Sequence, residues 1–330
     1  MNPMKRFVLG FLCITMLPIA TTLAYNTWND TSGLFNTDFS QPRPEPAQHF
    51  VKMRYLIAHP DKYDAYCFGS SRVGNIDLKK IDDGYRYYNM TYAMGVPADW
   101  LGDLKILLAH HVTIRRVMLG LDESFQIMPP VHEGTSLFVP YRENNFKTYL
   151  NFLFRMPSKP YRWEDRSKDP DMYHNSLYDI YDSGRPLHDA PDQRIDADPD
   201  AHRQAVANKV AGMDFHQSFP DQVEQTLAEL QEIKNICDAN GIDLIVFINP
   251  IEHGTYLSAD QELFRKFRTG LAKITPYYDF SGLNYITLDD YYYYETIHYR
   301  PIVGDQIIHR IFQIPKHTET NFGKYVEQVR

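Results

Sequence analysis

The spacing of hydrophobic residues along the chain predicts helices that alternate with short strands. Apolar residues three or four positions apart, the mark of one helix face, recur in segments 47–59, 98–111, 223–240 and 303–312. A further helix is expected through about residue 274, capped by Ser258. Mainly apolar runs typical of buried strands lie at 65–68, 114–121, 242–248 and 277–280, with a weaker candidate at 85–93. This order predicts an α/β fold with a parallel central sheet, a three-layer α/β/α arrangement with crossover helices.

The first 25 residues follow a different pattern. Lys5 and Arg6 precede an uncharged run over residues 7–24, which is long enough to cross a bilayer. Two interpretations stay open, a single-pass transmembrane anchor and a signal peptide cleaved after the small residues at 22–24, which would give a secreted protein. In both, the rest of the chain lies outside the cytoplasm. Residues 26–46, which end in three spaced prolines, are expected to be a linker to the main domain at 47–330.

The pattern weakens over an insertion at about 124–219. Residues 145–155 predict one aromatic-rich helix, whereas 157–200 are rich in Asp, Pro, Tyr and Arg and poor in aliphatic residues. Such a segment cannot build a core of its own. We expect either a lid or binding loop over the active edge of the sheet, or a disordered excursion.

Composition excludes several classes of function. The net charge of -8, with no basic run beyond the N-terminus, argues against a nucleic-acid partner. The three cysteines show no metal-ligand spacing and are expected to be free thiols, and His110, His111 and His132 do not have zinc spacing either. No glycine-rich phosphate loop precedes a predicted helix. We therefore expect neither a metal nor a cofactor.

Two short polar motifs, far apart in the chain, carry the candidate chemistry. Gly69-Ser70-Ser71 follows the strand at 65–68 directly, and Glu295-x-x-His298 follows the last predicted strand. A serine hydroxyl needs a base to take its proton, and the base needs an acceptor that orients it. Because carboxyl ends of parallel strands share one edge of a sheet, we predict Ser71 as nucleophile, His298 as base and Glu295 as its orienting acceptor. The alternatives are an ordinary serine-rich turn and an unrelated surface pair.

These residues carry a resemblance to the SGNH/GDSL hydrolase superfamily, whose fold is flavodoxin-like. The chain resembles in particular the exported, membrane-anchored members that act with membrane-bound O-acyltransferases in cell-envelope acylation, such as DltD-like and alginate-acetylation proteins. Gly69-Ser70-Ser71 stands where the family has Gly-Asp-Ser, and Glu295-x-x-His298 where it has Asp-x-x-His. Gly120-Leu121-Asp122 falls where the family has Gly-x-Asn.

The resemblance implies an acyl transferase or esterase that acts on acyl groups, acetyl above all, of a cell-envelope polysaccharide or a related glycan. The partners it implies are a membrane-bound O-acyltransferase, a glycan or an acylated small molecule as substrate, and the membrane through the N-terminal helix. A non-catalytic protein that binds the acceptor and docks on the acyltransferase is the alternative.

Asp122 is the main departure from the family pattern. The family's asparagine donates a hydrogen bond to the oxyanion, whereas an ionised aspartate only accepts. Either Asp122 points elsewhere, or it is protonated, or the site is weak or used differently. The backbone N–H of Ser71 is one replacement donor, and Asn89 and Gly95 are candidates for another, although Asn89 also suits the capping of a strand end.

Arg72 and the tyrosine run at 291–294 leave alternatives open. Arg72 could pair with a phosphate or carboxylate of a substrate, but an ion pair with a neighbouring acid such as Asp77 is the expected role. The tyrosines could stack on sugar rings or pack within a strand with alternate faces exposed.

Overall fold

The predicted strands pair side by side in the structure, which is a computed structural model of the chain. It describes residues 2–30, 32–35, 43–44, 46–122, 127–132, 138–155, 177–187, 189–210 and 219–329. In these residues the helices are α1 (Pro3–Asn29), α2 (Gln48–Ala58), α3 (Pro97–Ala109), α4 (Phe146–Leu153), α5 (Asp189–Ala197), α6 (Pro199–Val210), α7 (Gln222–Asn240), α8 (His253–Ser258), α9 (Gln261–Ile274) and α10 (Pro301–Phe312). The strands are β1 (Arg43–Pro44), β2 (Ala65–Gly69), β3 (Tyr87–Asn89), β4 (Arg116–Leu121), β5 (Leu177–Tyr178), β6 (Pro186–Leu187), β7 (Asp243–Ile248), β8 (Tyr277–Asp279) and β9 (Lys324–Val326).

The central sheet has the order β3-β2-β4-β7-β8-β9. Its first five strands are parallel, and only β9 runs antiparallel, against β8. The prediction of a mixed α/β fold with a mostly parallel sheet is therefore confirmed. Starting from β2, the chain moves to one neighbour, β3, and then crosses to the other, β4. In open sheets of this kind, such a reversal marks the usual place for a ligand, at the carboxyl ends of the strands beside it.

Alternate strand residues belong to two different hydrophobic clusters. Tyr66 and Phe68 lie in one cluster with residues of α2, α3, α7 and α9. Ala65 and Cys67 lie in the other, with residues of α10. Successive side chains of a strand point to opposite faces of the sheet. Both faces are buried here, which explains why the strand sequences are almost continuously apolar.

The N-terminal segment is a single helix, α1, of 27 residues. Among the described residues it is the helix that is long and apolar enough to cross a membrane. Its hydrophobic side chains are exposed, including Phe7, Phe11 and Ile14. Cys13 also lies exposed on this helix, whereas Cys67 and Cys237 are buried free thiols, as expected.

One local prediction is wrong. Ser258 does not cap the helix that follows it; it is the last residue of α8, and Asp260 caps α9 by accepting the N–H of Leu263 at 2.9 Å. In the insertion, the helix predicted at 145–155 is present as α4, and the described part also contains β5, β6, α5 and α6, which the sequence pattern did not predict. Strands β5 and β6 pair with each other, and β5 pairs with β1 in a separate antiparallel sheet. Much of the segment at 157–200 lies outside the described residues.

Candidate active site at the carboxyl edge of the sheet

Ser71 lies at the turn that leaves β2. The strand ends at Gly69, and a short 3-10 helix, Ser71–Asn75, begins two residues later. Ser70 caps this helix, because its hydroxyl accepts the N–H of Arg72 at 3.4 Å. Ser71 is the first helical residue and is partly exposed, whereas Ser70 is buried. The second serine, and not the first, is therefore accessible at the carboxyl edge of the sheet.

The turn is tight because two glycines leave room for it. Gly69 and Gly120 are register partners on β2 and β4. A Cβ atom on Gly69 would lie 2.2 Å from Val73 Cγ2, and one on Gly120 would lie 2.3 Å from the same atom. Val73 thus presses the 3-10 helix onto the sheet. Gly120, a candidate oxyanion or substrate-binding residue because it stands at the family's Gly-x-Asn position, is buried beneath Val73 and has this packing role in the structure.

His298 lies in a short loop that is closed by backbone hydrogen bonds. Tyr293 and Tyr299 form an antiparallel bridge, and the N–H of Tyr294 donates to the carbonyl of His298 at 2.8 Å. The Thr255 hydroxyl holds the loop from outside by donating to the carbonyl of Thr296 at 2.7 Å. We call residues 293–299 the histidine loop.

Ser71, His298 and Glu295 are in contact in the order that the sequence predicts. Ser71 Oγ lies 2.7 Å from His298 Nε2, across 227 positions of the chain. The other ring nitrogen, Nδ1, contacts Glu295 Oε1. The same carboxylate accepts the N–H of Ile297 at 2.8 Å and that of His298 at 2.9 Å. These bonds fold the glutamate back over its own turn, which explains why three positions separate it from the histidine.

Glu295 is held in its ionised form. Burial, the largest single influence, raises the pKa of this carboxyl, but the charge of His298, the hydrogen bond with it and the two backbone N–H groups together outweigh it. The pKa therefore lies below its ordinary value. An ionised carboxylate at this position accepts the Nδ1 proton and leaves Nε2 free to accept the serine proton.

Asp122 lies at the centre of a buried polar network behind Ser71. Its carboxylate accepts the hydroxyl proton of Ser70 at 2.6 Å and the side-chain amide of Asn249 at 2.8 Å, and it pairs with Arg72 Nη1 at 3.2 Å. Tyr299 extends the network, since its hydroxyl donates to Asn249 Oδ1 at 2.9 Å. The network joins the residues that follow β2, β4 and β7 to the histidine loop.

Two expectations change because of this network. Asp122 does point elsewhere, one of the three alternatives, because it is 1% exposed and is occupied by Ser70, Arg72 and Asn249. The expected ion pair of Arg72 with an acid is present, but the partner is Asp122 and not Asp77. Arg72 pairs with Asp122 and donates from Nε to the carbonyl of Ile297 at 2.8 Å, which ties the nucleophile turn to the histidine loop. Asp77 pairs with Arg185 at 3.1 Å.

The two candidate oxyanion donors differ from expectation as well. Asn89 is fully buried, and its amide donates to the carbonyl of Val73 at 2.9 Å while its oxygen accepts the N–H of Thr91 at 2.9 Å. It therefore caps the end of β3. Gly95 donates its N–H to Tyr92 at 3.3 Å and lies against the carbonyl of Gly69, so that a Cβ there would be 2.9 Å from that oxygen. The backbone N–H of Ser71, in the first helical turn where N–H groups have no partner within the helix, remains the donor that the geometry favours.

Part of the insertion contacts the histidine loop and the residues around it. Arg300 is buried and pairs with Asp192 and Asp196 of α5, each at 2.7 Å. The tyrosine run contributes hydroxyls here, because Tyr294 donates to Asp192 at 2.9 Å and Tyr291 to Asp196 at 2.8 Å. Hydrogen bonds from Arg300 and Tyr291 lower the pKa of Asp196. Two of the four tyrosines thus hold the insertion in place through their hydroxyl groups. This role differs from both expected ones, stacking on sugar rings and packing within a strand.

One group of possible metal ligands occurs among the described residues. The ligand atoms of Glu252, His253 and Asp290 lie within 4.8 Å of one another. Both oxygens of Glu252, however, cap α8 by accepting the N–H groups of Gly254 and Thr255 at 2.9 Å. The carboxylate therefore has a structural role in the helix cap without any metal.

Sequence reasoning missed the residues that support the site. Ser70, Asn249 and Tyr299 belong to the buried network, yet none was singled out as functional. A usable signal was present, since Asp122 and Asn249 each follow directly after a predicted strand, at the same edge of the sheet as Ser70.

Comparison with protein-family models and with curated sequences gives no relative for this chain. A scan of protein-family models finds no match, and a search of curated protein sequences finds none either. The functional interpretation therefore depends on the residues and their geometry.

Proposed function

We propose that the protein is an exported serine esterase or O-acyltransferase of SGNH type. It acts on acyl groups, most simply acetyl, carried by a cell-envelope polysaccharide or a related glycan. The observation that carries this proposal is the contact of Ser71 Oγ with His298 Nε2 at 2.7 Å, with Glu295 on the far side of the imidazole. Nucleophile, base and orienting acceptor in this order activate a serine for acyl transfer.

The chemistry follows from the three positions. Ser71 Oγ attacks the acyl carbonyl carbon while His298 Nε2 takes the hydroxyl proton, and Glu295 stabilises the imidazolium that forms. The backbone N–H of Ser71 donates to the developing oxyanion. His298 then gives its proton to the leaving alcohol, and the acyl group stays on Ser71 as an ester. A glycan hydroxyl or water, deprotonated by His298, attacks this ester and regenerates the serine.

The finer features of the fold belong to the same proposal. A three-layer α/β/α arrangement is supported by the two hydrophobic clusters on alternate strand residues. Helix α1 acts as a single-pass anchor, with Lys5 and Arg6 on the cytoplasmic side and the α/β domain outside. A membrane-bound O-acyltransferase is then a suitable partner, because a donor enzyme in the same membrane would deliver the acyl group beside the anchored domain.

The alternative is a non-catalytic acceptor-binding protein that docks on such an acyltransferase. In the sequence, Asp122 favoured this non-catalytic alternative, because a hydrogen-bond acceptor aimed at the oxyanion would oppose catalysis. The carboxylate is instead held by Ser70, Arg72 and Asn249, so this observation no longer favours the alternative.

Turnover of a simple acyl ester tests the proposal. The full chain in detergent is given 4-nitrophenyl acetate, with and without an added oligosaccharide acceptor. We expect ester cleavage that is lost in Ser71→Ala and retained in the matched variant Ser281→Ala. Acetylated oligosaccharide would identify a transferase, and acetate alone an esterase. A folded wild-type protein without turnover that still binds the oligosaccharide would support the non-catalytic alternative.

A further inference from the structure

The end of α1 is joined to the end of α4 by one buried side chain. Asn26, 1% exposed, donates from Nδ2 to the carbonyls of Leu153 at 2.8 Å and Arg155 at 3.0 Å. The carbonyls in the last turn of a helix have no partner within it. Asn26 therefore caps α4 from another helix and keeps the end of α4 level with the last turn of α1.

Helix α4 has a face that packs on the domain. Tyr149 and Phe152, three positions apart, point inward. Both rings contact Phe35, at centroid distances of 5.4 and 5.3 Å, and Tyr149 also meets the ring of Phe50 edge-on at 5.6 Å. This inner face accounts for the attachment of α4 to the core.

A second apolar face of α4 is only partly buried among the described residues. Its residues have the spacing i, i+4, i+7 and i+8, which is one side of a helix. We call it the outer stripe, and its members are Phe146, Leu150, Leu153 and Phe154. The two phenylalanines are 69% and 61% exposed. Lys147 and Asn151 are exposed on the remaining, polar side of the helix.

The position of α1 in the bilayer determines how deep the outer stripe lies relative to the membrane surface. Residues 7–24 span about 27 Å at 1.5 Å per residue, close to the hydrocarbon thickness of a bilayer. The next turn carries Tyr25 and Trp28, and Trp28 is 72% exposed. Aromatic side chains at a helix end mark the interface between lipid and water. Asn26 lies between these two aromatics, so the end of α4 that it caps is at interface depth.

We propose that the outer stripe of α4 lies in the interfacial layer of the membrane that α1 crosses. The inference depends on the proposed anchoring by α1 but not on the proposed chemistry. Lipid is the occupant that the observations favour, because the stripe carries exposed phenylalanines and because Asn26 holds the end of α4 beside the last turn of α1, just beyond the exposed apolar residues of that helix. A two-point attachment of this kind, span plus interfacial helix, fixes the orientation of the domain relative to the membrane.

Depth-dependent fluorescence quenching tests the inference on the full chain in lipid nanodiscs. The environment-sensitive dye NBD is attached to single cysteines, Phe146→Cys, Phe154→Cys and the matched polar position Asn151→Cys, each in a Cys13→Ser background. Native Cys13, in the middle of α1, is labelled alone as the reference for insertion. The buried thiols of Cys67 and Cys237 are expected to stay unlabelled in the folded protein. Thermal melting verifies that each variant is folded.

We expect lipids spin-labelled near the headgroup to quench dyes at 146 and 154 at least about twofold more than the dye at 151, as for an interfacial helix. Dyes at 146 and 154 that are open to aqueous iodide as fully as the dye at 151 would overturn the inference. Shielding from both quenchers would overturn it too, because the stripe would then face protein. Cys13 is tested with lipids spin-labelled deep in the acyl chain. Strong quenching at Cys13 by these lipids in either case would leave the anchor intact, whereas no such quenching would contradict the anchoring itself.

Discussion

At the scale of single residues, the site depends on how the imidazole of His298 is held. Glu295 fixes one ring nitrogen and Ser71 meets the other, so the serine hydroxyl and the carboxylate lie on opposite sides of the ring. Glu295 in turn is fixed by two backbone N–H groups of its own loop. The ring is therefore in position before substrate arrives, and little reorganisation is needed when the proton moves.

Replacement of Glu295 by Gln should slow ester turnover strongly. An amide in this place can donate to Nδ1 and favours the ring tautomer that carries its proton on Nε2, which cannot accept from Ser71. We expect kcat/KM for 4-nitrophenyl acetate to fall by about 10³-fold or more, with the fold unchanged by circular dichroism. Glu295→Asp, which keeps the charge, should lose less. A Gln variant within a few-fold of wild type would show that Glu295 does not orient the base.

Glu295 should also make stability depend on pH. Its pKa is lowered in the folded protein from an ordinary 4.5. A lowered carboxyl pKa adds to the free energy of unfolding above the ordinary pKa, and this addition disappears as the pH falls through the lowered value. The difference in unfolding free energy between wild type and Glu295→Gln, measured by urea denaturation, should therefore shrink as the pH drops from 7 toward 3. A difference that stays constant over this range would contradict the assignment.

Asp122 should matter for stability, because its pair with Arg72 is buried. In Asp122→Asn the guanidinium is left without its charged partner, and removal of one member of a buried pair costs about 3 kcal/mol or more. The control is Asp77→Asn, which breaks a partly exposed pair with Arg185 and should cost about 1 kcal/mol or less. Urea denaturation compares the two. A fully stable Asp122→Asn protein with altered catalysis would instead place Asp122 in the reaction.

At the scale of elements, the α5–α6 segment acts on the site through the histidine loop. Asp192 and Asp196 of α5 hold Arg300, and on α6 His202 lies 2.7 Å from the carbonyl of Tyr293. Arg203 of α6 pairs with Asp289, just before the loop. The loop is thus held on one side by the sheet edge and on the other by the insertion.

The double variant Asp192→Asn, Asp196→Asn should loosen this arrangement. Arg300, which is 2% exposed, would lose both carboxylate partners. We expect faster hydrogen exchange in residues 291–300 and a lower rate of ester turnover. Asp200→Asn is the control, since Asp200 is highly exposed in its pair with Arg203. Unchanged exchange in the double variant would show that α5 does not support the loop.

The sequence predicted the helices and strands that are stabilised by burial of apolar side chains. It predicted poorly the elements that are held by polar contacts. β2, β4 and β7 were recognised because strands buried on both faces read as continuous apolar runs. α5 and α6 were missed because residues 189–210 have no aliphatic period, and ion pairs and tyrosine hydroxyls hold them instead. Strand β9 was missed because a strand of three residues is too short to show a recognisable pattern.

The same holds for the site. Ser71, His298 and Glu295 could be selected from their motifs. The partners of Asp122 could not, since they depend on which strand ends become neighbours.

At the scale of the whole molecule, the sheet order brings distant segments together. The reversal of direction at β2 places Ser71 at the carboxyl edge of the sheet, and the segments after β4 and β7 supply Asp122 and Asn249 at the same edge. The chain segment after β8 then carries His298 over the same edge. The N-terminal helix, at the opposite end of the sequence, offers a route to a membrane. The proposed function, acyl chemistry performed by an exported domain beside a bilayer, would use both of these features.

The most direct measurement is covalent labelling of the purified full chain by a fluorophosphonate, with the adduct located by peptide mass spectrometry. A serine activated by a histidine reacts with such a reagent, whereas an unactivated hydroxyl does not. We expect one adduct, on Ser71, that is absent in Ser71→Ala and greatly slowed in His298→Gln. Folded wild-type protein that takes up no reagent, or that takes it up on Ser70 or elsewhere, would contradict the assignment of Ser71 as the nucleophile.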